Sequence, residues 1–508
     1  MLLRRRILLL LVLVFVPGSL SVTLGYGLYL RSDAYRARLE QEVSELLHFP
    51  TSIERVRTLT GSSRAFQEIS VRMPARGDHV FRCRRAVWSE ESRNGRPWYA
   101  LDLIDGWLLV GTHQWSPEDY RAMLQSGFGQ DFVSLSLRRV HLANIDLEWR
   151  HPAITLSLRD SVGEIVFDED GTGRASLVCH NLNGCAVEQA INVIAHFTPG
   201  AGLRFHEAEL QLPPLPLGGL GLNSLLRAEV TRGVFQGELR YRVADARERV
   251  ALTGAITGAA LEELTEPVIG GPFHGRVNVI VDEAVFLDRR LEGLRFRGRL
   301  SDLRVNELVP VLRTAPLDSR VQLRVHQASL RGTAVEYLSA DGYGTDLSLE
   351  ALTGLIGRGR ISGRLRVEIR GLQIVDDRLV RAEVELTAVP PDGAPGTIDK
   401  SLLEWAAREI VGIEVGRILP ERIEYAELGV RLVIDGEVLH VRGTHGQDGR
   451  TILTMRLFGR QVPLIREFDR AYEIGPLLAR IREQIETYNM ERFRRWWESV
   501  HQPPETPQ

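Results

Sequence analysis

One spacing constrains this chain more than any other feature. Gly254, Gly298 and Gly342 stand 44 residues apart, and so do Leu264, Leu308 and Leu352. Val268, Leu312 and Ile356 keep the same interval, as do Arg276, Arg320 and Arg364. Each of these arginines opens a strand-like run, and the apolar positions of the runs fall in register. Val277 matches Val321 and Leu365, Val279 matches Leu323 and Val367, and Val281 matches Val325 and Ile369. A period between 20 and 50 residues is the signature of a stacked array in which no unit buries its apolar face alone.

Within one unit, apolar residues at i and i+4 (Leu264/Val268, Leu308/Leu312, Leu352/Ile356) predict a short helix, limited in two units by Pro267 and Pro310. A strictly alternating strand follows, charged on one face and aliphatic on the other. A second strand returns, as in Leu294–Leu300. Side chains alternate across a strand, so one face meets water and the other meets something apolar. The expected fold is mainly β: an elongated, repeat-built antiparallel sheet with short helices and an N-terminal transmembrane helix, its groove-like form being what the family resemblance given below implies.

The chain has 508 residues and a formal net charge of −3, which leaves no electrostatic footprint of a nucleic-acid binder. Its basic charge is almost all arginine, with Lys400 as the one lysine. Three cysteines, Cys83, Cys179 and Cys185, do not make a disulfide framework, although Cys179 and Cys185 are close enough in sequence to clip one loop.

Arg4, Arg5 and Arg6 precede an uncharged run from Ile7 to Leu30. At about 1.5 Å per residue this run reaches about 36 Å, enough to cross a hydrocarbon core of about 30 Å. The reading is a signal-anchor helix over 1–30 with a cytoplasmic N-terminus and the bulk of the chain in the periplasm. A cleavable signal peptide is the rival. Residues 31–130 form a first module, in which Ser32–Leu47 is an amphipathic helix with Tyr35, Leu39, Val43 and Leu46 on one stripe. Asp105-Gly106 predicts a hairpin between Tyr99–Ile104 and Trp107–Thr112, and Ser116 to Gly127 predicts a helix. A β-rich region spans 131–250, with Pro213–Gly221 as a loop. The array covers 251–390. A helix-plus-hairpin module covers 391–464, with Ser401-Leu-Leu-Glu404 as a capping box and Asp435-Gly436 as a second hairpin. Residues 465–508 read as a C-terminal amphipathic helix, broken at Gly475-Pro476, and a disordered tail.

The N-terminal layout resembles a known family. The anchor leads to Tyr35-x3-Leu39-Glu40, Val43-x2-Leu46-Leu47-His-Phe-Pro50, Ile53-x2-Val56, Phe66-x2-Ile69-Ser-Val71 and Phe81-x-Cys83-Arg-Arg-Ala86. This is similar to the opening of AsmA-like envelope proteins, whose relatives include TamB and YhdP. Asp346-Leu-x2-Glu-Ala-Leu352 and Ser362-Gly-Arg-Leu365 look like that family's repeats. The family's usual glycine before the proline of the first module is Phe49 here, and 91–250 matches nothing in it. The resemblance implies a hydrophobic groove suited to carrying phospholipids across the envelope.

No nucleophile elbow, HExxH, Walker-type or dinucleotide fingerprint is present. His440 and His445 are not at zinc spacing, and His196, His206, His274 and His326 are scattered. The chain therefore reads as a non-enzyme with no cofactor and no metal. Its expected partners are the acyl chains of membrane lipids, the inner membrane through residues 7–30, and an outer-membrane or envelope protein. The candidate floor of the groove is Val277, Val279, Val281, Val321, Leu323, Val325, Leu365, Val367 and Ile369. Periodicity leaves a closed β-sandwich core equally open, since trough and sandwich both need one wet and one dry face. An assembly or chaperone factor for outer-membrane proteins, or a passive structural module, are the other functions this pattern admits.

Overall fold

The computed structural model describes residues 28–47, 49–60, 62–72, 79–93, 96–110, 137–150, 155–168, 172–200, 202–221, 230–244, 247–269, 273–288, 290–308, 319–355, 357–408, 419–457, 459–467 and 470–477, with 26, 479, 480 and 483. The anchor over 1–30, apart from its last few residues, and the helix predicted at Ser116–Gly127 lie outside the described residues. Among the described residues no helix is long and apolar enough to cross a membrane. The chain forms two compact units, Met1–Leu252 with Phe286–Arg290, and Thr253–Val285 with Leu291–Gln508.

The first unit starts with α1 (Asp33–Leu47) and continues through β1 (Thr51–Thr60), β2 (Ser63–Arg72), β3 (His79–Arg93), β4 (Arg96–Val110) and β5 (Leu137–Arg150). Then come β6 (Thr155–Phe167), β7 (Gly173–Leu182), β8 (Cys185–Gly200), β9 (Gly202–Pro216), a 3-10 turn at Leu217–Leu220 and β10 (Val234–Ala244). Each strand pairs with the next. Of the amphipathic stripe, Tyr35 and Leu39 of α1 are buried and Val43 is half-buried, while the Leu46 side chain lies outside what is described. The helix covers the edge of the sheet, where Ile53 N–H donates to Glu40 Oε1 (2.6 Å) and Thr51 N–H to Ser44 Oγ (3.0 Å). Those two groups would otherwise be an open edge, a template for another chain.

Three local expectations change here. The β4–β5 pair is parallel, so the sheet is mixed and not antiparallel throughout. Asp105-Gly106 does not turn the chain. It sits inside β4 with the pairing to β3 and β5 in unbroken register, and Asp105, at φ 54°, accepts from Asn144 Nδ2 (2.7 Å). A methyl group at Gly106 would lie 2.6 Å from the Arg82 carbonyl oxygen, so the neighbouring strand claims the glycine. Pro213–Pro216 belongs to β9 and not to a loop. The last β8 partner in β9 is Gln211, so the missing proline N–H groups fall where β8 no longer pairs. The three cysteines are free thiols, and burial pushes the Cys179 thiol up to about 11.

The chain then runs through β11 (Arg247–Ala260) and α2 (Leu261–Ile269) to β12 (Arg276–Leu287), β13 (Arg290–Arg304) and α3 (Val305–Leu308). It continues with β14 (Arg320–Arg331), β15 (Ala334–Ser348), α4 (Leu349–Gly354), β16 (Arg364–Val375) and β17 (Arg378–Val389). The 44-residue period is written into the backbone hydrogen bonds. The first residue of each short helix donates to the carbonyl just before the next strand: Leu261 to Gly275 (2.9 Å), Val305 to Ser319 (3.1 Å) and Leu349 to Gly363 (3.1 Å). At the hairpin tips Asp288 donates to Glu248, Gly332 to Glu292 and Asp376 to Glu336. Thr265 and Thr353, two periods apart, each donate to the helix's first carbonyl and accept from the chain entering the next strand. The pattern also reaches one unit further back than the spacing suggested, where Leu217 donates to Gly233. Within the second unit β13 to β17 pair antiparallel in chain order.

After the array come β18 (Gly396–Asp399), α5 (Lys400–Ala406), β19 (Arg422–Asp435), β20 (Val438–Gly443), β21 (Thr451–Leu457), β22 (Arg460–Arg466) and β23 (Ala471–Glu473). The first half of β19 pairs with β18 and β21, and its second half with β17 and β20. One strand therefore serves two sheets. Asp435-Gly436 is a hairpin, as expected. The capping box is not formed. Asp399 is the N-cap of α5, without a side-chain cap bond, because its carboxylate accepts from Arg360 N–H (2.9 Å). The C-terminal helix does not begin at Ile465: Ile465 and Arg466 are in β22 and Ala471–Glu473 are in β23, since Ile465 pairs with Leu453 and packs on a buried cluster. Most of the rest of that segment lies outside the described residues. Tyr425 centres the cluster, 1% exposed, its hydroxyl donating to the Ser362 carbonyl (2.7 Å).

Removing residues 298–341, one whole period, is expected to leave a folded, shorter protein, whereas removing 298–319 should break the strand phase and abolish cooperative melting. Equal melts for the two deletions would make the 44-residue spacing incidental. Burial pushes the Tyr425 phenol up to about 12 from 10.0. The raised value means that the fold favours the neutral ring, so its contribution is complete below pH about 10 and is lost as pH rises towards about 12. Tyr425→Phe should cost about 1 kcal/mol at neutral pH through the lost hydrogen bond, and its stability should fall less between pH 10 and 12 than the parent's, read by chemical denaturation at each pH.

Candidate functional site

The second unit carries an aliphatic face built by alternation. On β16 the burial pattern alternates strictly from Arg364 to Arg370, with the arginines and Glu368 exposed and Leu365, Val367 and Ile369 half-buried between them. All nine predicted floor residues sit on inward positions of β12, β14 and β16. Val277, Val279, Val281, Val321 and Val325 are buried, and Leu323, Leu365, Val367 and Ile369 are half-buried. Burial thus loosens from β12 towards β16. The intervening strands complete the rows: Val321 faces Leu303 and Gly344, Leu323 faces Leu300 and Gly342, and Ile369 faces Gly342 and Val384.

Two apolar clusters describe how this face is packed. Val305, Val321 and Leu347 gather Leu323, Leu352, Leu365 and Val367 around them. Val325, Ala328 and Ala340 gather Phe296, Leu300, Leu338 and Leu372. Every member lies on β13, β14, β15 or β16, or on α3 and α4. Among the described residues, the side chains pack against lateral neighbours of their own sheet and against the short helices at one strand end, and no described residue of a facing sheet belongs to either cluster. A third cluster, with Ile423, Tyr425, Leu453 and Met455 at its centre, takes in Leu365, Leu349 and Ala388. The strands around β19 therefore cover the helix end of this face at Leu365.

Glycines on β13 and β15 explain why the aliphatic side chains come so close together; the sequence reading used Gly298 and Gly342 only as markers of the period and did not single out Gly344. A methyl group at Gly342 would lie 2.5 Å from Leu323 Cδ2, and one at Gly344 2.9 Å from Val321 Cγ2. At Gly298 it would lie 2.6 Å from Val279 Cα, with φ at 149° besides. Leu323 and Val321 lean into the gaps that the glycines leave. The residues missed from sequence include Phe296, Leu300, Leu338 and Leu347 on the returning strands β13 and β15, where the period is marked by glycine and not by an aliphatic triplet, and Leu372 near the far end of β16.

The opposite face is polar and densely ion-paired. Arg370 and Arg431 share Glu383 and Glu385, and Asp346 pairs with Arg364 (3.1 Å). Asp341 accepts from Gly371 N–H and from His326 Nε2, both at 2.7 Å, and the first of these contacts holds its carboxyl below the usual range. Among the described residues no group of three His, Cys, Asp or Glu side chains is placed to hold a metal ion. No family model, curated protein or solved structure matches this chain.

Gly342→Ala should destabilise by about 1–3 kcal/mol through overpacking against Leu323. Combined with Leu323→Ala it should cost less than the two single changes together, by about 1 kcal/mol, in a double-mutant cycle read by denaturant melts. Strict additivity would mean that the two residues do not share the gap.

Proposed function

We propose that the aliphatic face of β12 to β17 is a lipid-bearing floor, and that the chain is a non-enzymatic, inner-membrane-anchored periplasmic protein of envelope biogenesis. The observation that carries this reading is the half-buried state of Leu323, Leu365, Val367 and Ile369, of which Leu323 and Val367 pack, among the described residues, against lateral neighbours of their own sheet and the short helices. The resemblance of the N-terminal layout to AsmA-like proteins, and the uncharged run from Ile7 to Leu30 behind three arginines, support the family, the anchor and the compartment. In this reading no covalent chemistry is needed. Burying a methylene is worth roughly 0.8 kcal/mol, so a 16-carbon acyl chain exposed to water costs on the order of 12 kcal/mol, and a continuous aliphatic floor removes that barrier.

Charge on the floor tests the idea. Leu323→Asp and Val367→Asp put carboxylates where acyl chains would lie, at positions that water already reaches in part. Both variants should express and melt cooperatively but lose copurifying phospholipid, measured by mass spectrometry of organic extracts. Photocrosslinkers at 323 and 367 should capture lipid, and those at 324 and 368, on the polar face, should not. In a closed core the same carboxylates would be among the large destabilisers. Failure of both variants to fold, with protein-only crosslinks, would replace the floor by a sandwich core.

A further inference from the structure

The first unit builds its inward face in the same way as the second and buries it far more completely. One row runs straight across six of its strands, from Leu142 on β5 through Gly163, Leu177, Val193 and Leu210 to Leu239 on β10. Every leucine and valine in that row is at most 7% exposed, and Leu239 is 1% exposed. The corresponding row of the second unit, Leu323, Gly342, Ile369, Val384 and Leu432, is half-buried at each of its side chains. Both rows hold one glycine that a neighbouring leucine overhangs. A methyl group at Gly163 would lie 3.0 Å from Leu177 Cδ2, as one at Gly342 would lie 2.5 Å from Leu323 Cδ2. The construction is shared, so the difference comes from what lies over each row.

Two features of the first unit supply cover. Trp149 of β5 and Tyr241 of β10, on strands with four others between them, meet edge to face with ring centroids 4.9 Å apart. Trp149 lies two residues on from buried Leu147 and Tyr241 two on from Leu239, so both rings start from inward positions and their contact spans the interior. The Tyr241 hydroxyl donates to Glu248, whose backbone is tied to Asp288, and this fixes the ring. At one strand end the 3-10 turn Leu217–Leu220 folds in, with Leu217 and Leu220 buried. Asn183 holds that turn: its Nδ2 donates to the Gly219 carbonyl (2.8 Å) and its Oδ1 accepts from Ser157 N–H (2.7 Å).

We propose that the first unit is a sealed core, shut by the Trp149–Tyr241 contact and the Leu217–Leu220 turn, and that acyl chains are held on the second unit alone. The inference rests on the lipid-bearing floor proposed above and sets its limit: chains join the floor at the second unit and do not pass through the first. A row already closed by protein has no apolar area left to remove from water, whereas a half-buried row gains from every methylene laid on it.

Photocrosslinking and thiol labelling of the full-length protein, purified from membranes, separate the two claims. Small diazirine side chains at 210 and 239 should give protein-only crosslinks, whereas those at 323 and 367 should capture lipid. Leu239→Cys and Leu323→Cys are then treated with a maleimide in the native state and in denaturant, and mass spectrometry resolves each site from the native cysteines. Leu239→Cys should label at least about a hundredfold more slowly in the native state than in denaturant, and Leu323→Cys less than about tenfold more slowly. Val193→Cys repeats the comparison with a smaller change of side chain. Trp149→Ala, which removes the aromatic contact, should raise the native labelling rate of Leu239→Cys about tenfold and leave that of Leu323→Cys unchanged. Lipid captured at 210 or 239, equal native protection of the cysteines of the two units, or an unchanged Leu239→Cys rate with Trp149→Ala would overturn the proposal. Protein-only crosslinks at 323 and 367 beside a protected Leu239→Cys would instead remove the floor, and the confinement of chains to the second unit with it.

Discussion

Everything in the second unit depends on a short backbone tie. The first N–H of each helix donates to the carbonyl that precedes the next strand, from Leu261 to Gly275, Val305 to Ser319 and Leu349 to Gly363. That bond fixes the number of residues between one strand and the next. Register in a sheet has a period of two, so a slip of one residue would turn every inward side chain outward. With the tie repeated at the same interval, Val321 and Leu365 start their strands in the same phase, and the inward residues that follow line up without further instruction. The ties at the hairpin tips, such as Gly332 to Glu292 and Asp376 to Glu336, hold the far ends in the same way.

This is why the array was legible in the sequence. A strict interval combined with strict alternation leaves one arrangement of strands, and the nine floor residues were readable as one face. What sequence did not reveal has physical causes that only neighbours supply. Asp105-Gly106 and Asp435-Gly436 are the same dipeptide, yet one runs on inside a strand and the other is a hairpin, because Asn144 and the Arg82 carbonyl hold the first in line. The stretch after Ile465 has helical spacing, but Leu453 offers it a strand partner and a buried cluster, and that tertiary gain outweighs propensity. The parallel β4–β5 pair left no signal, since alternation reads the same in both directions.

The floor itself was half legible. The aliphatic triplets on β12, β14 and β16 announce themselves, whereas the other half of the surface is made by absence. Gly298, Gly342 and Gly344 matter because a side chain there would strike Val279, Leu323 or Val321. A glycine in a strand normally weakens it through lost packing and chain entropy. Here the lost packing is recovered by the neighbouring aliphatic side chain, which fills the gap. That recovery is invisible to any reading that scores positions one at a time.

The two faces of the array solve their polar and apolar accounts differently, and the difference bears on the floor. On the polar face Arg295, Arg297, Arg320 and Arg331 each find a carboxylate on an adjacent strand, and Arg304 finds one on α3. On the apolar face burial is complete at Val321 and Val325 but only partial at Leu323, Val367 and Ile369. Fully burying such a side chain is worth about 1.5–3 kcal/mol, so several half-buried ones in a row forgo a few kcal/mol, comparable with a sizeable part of a domain's stability. A repeat that needed only to be stable would recover that energy by closing a second layer over the face, as the strands around β19 do over Leu365. In the reading proposed above, an apolar ligand lying on the rest of the row would complete that burial and offset the cost.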